Sequence, residues 1–188
     1  MKSSSAAKPR RHTVIEELTG ILVFIGIIWV VFILDRFLPL ERLALYPRHM
    51  SGLPGIMLSP FLHKDLSHIV SNSVPLFALL ALLAGSRADS RKAVLSIIVT
   101  SGGLLWLFGR SVPVIGASGL VFGLIVFLIL SGIRERRGIA TGVSLLVGLS
   151  YGSTLLAGIM PGQTGISWDG HLAGAVAGGI CAWLFTLR

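Results

Sequence analysis

The sequence predicts an all-α polytopic membrane protein, a bundle of six transmembrane helices behind a short polar tail. Three observations predict it. Hydrophobic residues make up 53% of the 188-residue chain, the mean hydropathy is +0.85, and only 13% of residues are charged, about half the roughly 25% usual in a soluble domain. The apolar residues gather in runs near the ~20 residues a helix needs to cross a bilayer. The basic residues lie in short stretches between those runs, so the net charge of +8 reads as membrane topology and not as a nucleic-acid surface. Cys181 is the single cysteine. It sits in an apolar run, where it reads as a small buried hydrophobe.

Residues 1–17 are polar and basic and are expected to form a disordered cytoplasmic tail; residues 18–188 form the six-helix domain. The first helix is expected at 18–34. It ends at Asp35-Arg36 without a small-residue cleavage pattern, so it reads as a retained helix and not as a signal peptide. The connection 35–64 holds Pro39, Pro47, Pro54 and Pro60 among many leucines. It is too broken to span and too apolar for a free linker, which predicts a segment lying at the interface.

The second helix is expected at 66–84, with a polar start and a bend at Pro75. A basic loop at 85–92 leads to the third, 93–108. The fourth runs from Ala117 to Ser131, followed by a basic loop at 131–138. The fifth is 139–159, and a loop at 160–168 leads to the sixth, 169–187. Six crossings put both termini on one side. That side then carries eleven Lys and Arg against five on the other. The positive-inside bias places both termini in the cytoplasm of a multi-pass protein.

This topology brings the starts of the second, fourth and sixth helices to the same outer depth. There lie His68 and Asn72, Ser118, and His171. Ionisable groups at membrane depth are functional candidates by default. His68 and Asn72 are four apart and share a helix face; they could equally join helices by hydrogen bonds. Asp169 reads as the N-cap of the sixth helix, facing away from His171. His63 and Lys64 read as solvated loop residues and His49 as surface.

The stretch Gly116-Ala117-Ser118-Gly119 taken alone is a helix-packing motif. With a histidine on a facing helix, its serine has the chemistry of an activated nucleophile. Acyl transfer also needs donors aimed at the developing oxyanion. His68, Asn72 and the first-turn N–H of Ser118 supply three. Gly119 and Gly123, with Gly174 and Gly178, would let the fourth and sixth helices approach closely. A metal site is disfavoured because no H-E-x-x-H pair occurs. No Lys-Ser/Thr follows the glycines as a phosphate loop needs, and position 120 is Leu, not the Gly of a hydrolase elbow.

These residues together resemble the rhomboid intramembrane serine proteases of minimal six-helix bacterial type. Pro60-Phe61-Leu62-His63, His68-x-x-x-Asn72, Gly116-Ala117-Ser118-Gly119 and His171-x-x-Gly174-x-x-x-Gly178 carry the likeness. It covers nearly all of 18–187. The resemblance implies a Ser118–His171 catalytic dyad without an acidic third member, and an oxyanion hole of His68, Asn72 and the Ser118 N–H. Gly116, Gly119, Phe122 and Gly174 are implied as supporting residues. It further implies cleavage of transmembrane protein substrates near the outer face of the lipid bilayer, with no cofactor and no metal. Two features depart from patterns seen in the family. The first loop lacks a Trp-Arg pair, and Phe122 stands where some members have a tyrosine packed on the histidine. An inactive helix-binding relative and a small transporter are the rival readings. The transporter would place polar groups at the midplane and show an internal repeat.

Overall fold

A computed structural model describes residues 14–87, 89–162 and 165–186. Among these the fold is all-helical, with seven helices. They are α1 (Val14–Leu34), the four-residue α2 (Gly55–Leu58), α3 (Leu66–Ser86), α4 (Ser90–Phe108), α5 (Ser118–Glu135), α6 (Gly138–Gly158) and α7 (Trp168–Phe185). Five are long and apolar enough to cross a membrane: α1, α3, α4, α5 and α6. The expected sixth, α7, is 18 residues long but falls outside that set. Asp169 and His171 near its start, and the glycines after them, lower its hydropathy.

Helix ends depart from the sequence expectation by up to four residues. α1 begins at Val14, so part of the expected tail is helical; residues 1–13 lie outside the described residues. The basic loops are shorter than expected, because α4 already begins at Ser90 and α5 continues to Glu135. Arg136 ends α5 in the left-handed conformation (φ 51°), a common helix stop. α3 runs through Pro75 as one helix. The segment 35–64 is broken into 3₁₀ turns around α2, as its prolines dictate.

α5 is the axis of the bundle. Leu120 to Ile125, Phe127 and Leu128 are all buried, and α7, α6, α4 and α3 pack around them. Lipid chains are as apolar as leucine, so area removed from water does not hold these helices together; close packing and hydrogen bonds do. The closest approach is between α5 and α7. A Cβ on Gly174 would collide with the Gly119 carbonyl, and one on Gly178 with that of Gly123. Cys181, buried on α7, belongs to the same core. α1 is peripheral, burying only Ile21 and Ile28, and Trp29 Nε1 ties it to α3 by donating to Ser73 Oγ at 3.2 Å.

Candidate active site

The site is assembled on the loop that leads into α5. Leu45 forms an isolated antiparallel bridge with Val114, and the Gly116 N–H donates to the Ser59 carbonyl at 2.9 Å. The 35–64 segment therefore holds this loop by its backbone. Arg48 adds two side-chain bonds, to the Gly109 carbonyl and Ser111 Oγ, both at 2.6 Å. The chain turns at Gly116 with φ 115°, a conformation that favours glycine. A Cβ there would also stand 2.7 Å from His68 Nε2, so the turn and the His68 ring both require its absence.

Ser118 is the first residue of α5, where N–H groups lack intrahelical partners. Those of Gly116 and Ala117 are taken by Ser59 and by His63 Nε2, the latter at 3.5 Å. Ser118, next in the chain, borders a cleft of about 1260 Å³ between α3 and α6. Ser118, His171, His68 and Asn72 all line that cleft, with Tyr151 on the α6 wall and Trp168 at the start of α7.

His171 is fixed on two sides. Its Nδ1 lies 3.0 Å from the Gly158 carbonyl, and a carbonyl can only accept, so Nδ1 carries the proton and Nε2 is the basic nitrogen. Its ring stacks on Phe122, with centroids 4.0 Å apart and planes 12° from parallel. Gly158 is needed there because a Cβ would strike the Phe122 ring.

On α3, Asp65 caps the helix by accepting from the His68 N–H at 2.8 Å. Asn72 is buried, and its Nδ2 donates to the His68 carbonyl at 2.9 Å. That amide has a second hydrogen, and it borders the cleft. Among the described residues no three His, Cys, Asp or Glu side chains gather as a metal would need.

Two expectations are corrected. His63 is not solvated; it is fully buried behind the site, its ring edge-on to His68 at 5.0 Å. Burial pushes its pKa down to about 4, and the nearby His68 pushes the same way, so it is a neutral acceptor for Ala117. Its neighbours Phe61 and Leu62, both apolar, were the available signal. Asp169 is not the N-cap of α7, a position held by Ser167. It accepts instead from the Arg110 backbone N–H, the Arg110 guanidinium and Ser167 Oγ, each at 2.9 Å. A loop cation 59 positions away outcompeted the local helix-start role. The carbonyls of Ser59 and Gly158 carry no sequence signal, since every residue has one.

The chain matches the family model for the rhomboid domain over residues 50–188. It is 38% identical over 183 residues to an uncharacterized protein of Mycobacterium tuberculosis, covering 89% of this chain and 75% of that protein. An uncharacterized protein of Mycobacterium leprae is 33% identical over 176 residues, 88% and 70% of the two chains. A putative rhomboid protein of Acanthamoeba polyphaga mimivirus is 28% identical over 144 residues, 73% and 78%. With the domain match covering most of its length, the chain belongs to the rhomboid family.

Proposed function

We propose that this protein is an intramembrane serine endopeptidase that cuts the transmembrane segments of other membrane proteins near the outer face. The observation that carries the reading is that Ser118, His171, His68 and Asn72 line one cleft while Gly158 holds His171 in the tautomer a general base requires.

Ser118 Oγ attacks a peptide carbonyl of a locally unwound substrate helix, and His171 Nε2 takes the hydroxyl proton. The tetrahedral oxyanion is stabilised by His68, Asn72 and the Ser118 N–H. As the C–N bond breaks, His171 returns the proton to the leaving amine. Water then attacks the acyl-enzyme with His171 as base, releasing the second product and restoring Ser118. An intact helix hides its carbonyls in hydrogen bonds, so helix-weakening residues such as glycine or serine near the cut favour cleavage. In this reading α7 is the sixth crossing, carried by its packing on α5 and α4, and both termini are cytoplasmic in a bacterial inner membrane.

The test uses the purified full chain in detergent with a generic labelled transmembrane substrate. Wild type is expected to cleave it, and Ser118→Ala and His171→Ala to abolish cleavage. Retained activity in either variant would sink the dyad. Binding of the substrate without cleavage by wild type would favour a helix-binding role.

A further inference from the structure

A second cavity lies at the opposite end of the bundle and outside the site just described. α4 packs chiefly on α7 and α5 and only lightly on α3, so a gap opens between α3 and α4. The outer half of that gap is filled by the interfacial segment: Ile56 sits against Gly102, and Phe61 meets Phe24 of α1 edge-on at 5.3 Å. The inner half is left as a crevice of about 430 Å³. Its roof is Phe24, Met57 and Phe61, its walls are apolar, and its inner rim holds Glu17, Ser90 and Arg91. Seven residues of α1 separate Glu17 from Phe24, about 10 Å of helix rise. That depth approaches one leaflet of a ~30 Å hydrocarbon core.

The rim carries one anion and one cation side by side. Glu17, only 15% exposed, receives a hydrogen bond on Oε2 from Ser90 Oγ at 3.1 Å. Arg91 Nε stands 4.0 Å from Glu17 Oε1, beyond hydrogen-bond reach, and its side chain is 60% exposed. A carboxylate has about four acceptor sites, so Glu17 can take further donors, and the Arg91 guanidinium is open to an incoming acceptor. A purely anionic headgroup would meet Glu17 unfavourably, and a quaternary ammonium has no N–H to donate. A headgroup with a phosphate and a primary ammonium complements both charges.

We propose that the crevice between α1, α3 and α4 binds a phospholipid with a phosphoethanolamine headgroup, its acyl chain in the apolar walls, its phosphate on Arg91 and its ammonium on Glu17. The site does not depend on the catalytic reading. It is tested by native mass spectrometry of the full chain in micelles holding equal amounts of phosphatidylethanolamine, phosphatidylcholine and phosphatidylglycerol with the same acyl chains. Phosphatidylethanolamine is expected to be retained at least about threefold over the others, the effect of one partly exposed ion pair. Glu17→Gln is expected to remove that preference, because Glu17 reads the ammonium. Arg91→Gln is expected to lower retention of all three lipids, because the phosphate is common to them. Equal retention by wild type, a preference unchanged in Glu17→Gln, or retention unchanged in Arg91→Gln would each overturn the proposal.

Discussion

Gly174 of α7 rests on the Gly119 carbonyl of α5, with no room between them for a single added carbon. Gly119 follows Ser118 and Gly174 lies three residues after His171. This contact therefore sets the separation of the helices that carry the two residues. Gly174→Ala is expected to force α5 and α7 apart and cost about 1–3 kcal/mol of stability. Cleavage should fall further than stability does, since a displacement near 1 Å can cost about 10²-fold in rate. Thermal melting and cleavage rates measured on the same preparation check this; equal, small losses in both would count against it.

Phe122 supports the His171 ring by stacking. An aromatic pair is worth about 0.5–1.5 kcal/mol beyond its area. Phe122→Leu keeps an apolar side chain and removes the ring, so the cleavage rate is expected to fall roughly 2- to 10-fold. The quantity to measure is kcat at saturating substrate.

Asn72→Ala removes one of three proposed oxyanion donors and also the bond to the His68 carbonyl. The rate is expected to fall by less than the roughly 10²–10³-fold seen for a single essential donor. His68→Ala compared with the double variant reports whether the two donors act together.

His63 links stability to pH. Its folded pKa is about 4 against 6.5 for the free side chain, so between these values the unfolded chain binds more protons. Stability is then expected to be complete above about pH 6.5 and to fall, by roughly 2–3 kcal/mol, as pH drops towards 4. Melting temperature followed from pH 7 to 4 in wild type and His63→Gln measures it. The variant should lose that part of the slope.

Asp169 and Arg110 form an ion pair with unequal partners. Asp169 is buried with three hydrogen bonds, whereas the Arg110 side chain is 48% exposed. Asp169→Ala strands a backbone N–H and a guanidinium, and is expected to cost about 1–3 kcal/mol. Arg110→Ala keeps the backbone bond and is expected to cost no more than about 1 kcal/mol. Chemical or thermal unfolding of the two variants separates them.

The membrane class and the long helices were legible in the sequence, and so was the expectation that His68, Asn72, Ser118 and His171 lie together, as they do along one cleft. Each follows from runs and spacings: an apolar stretch of spanning length must satisfy its own backbone bonds as a helix, and counting crossings then assigns each polar helix start to a side. What only the tertiary structure decided was which neighbour each polar group takes. His63 reads as a loop residue until Ala117 is seen to donate to it across 54 positions. Asp169 reads as a cap until Arg110 arrives from the α4–α5 loop. The tautomer of His171 rests on the carbonyl of Gly158, a backbone group that no side-chain pattern encodes. Periodicity and spacing are properties of one chain segment, and partner choice depends on how distant segments meet.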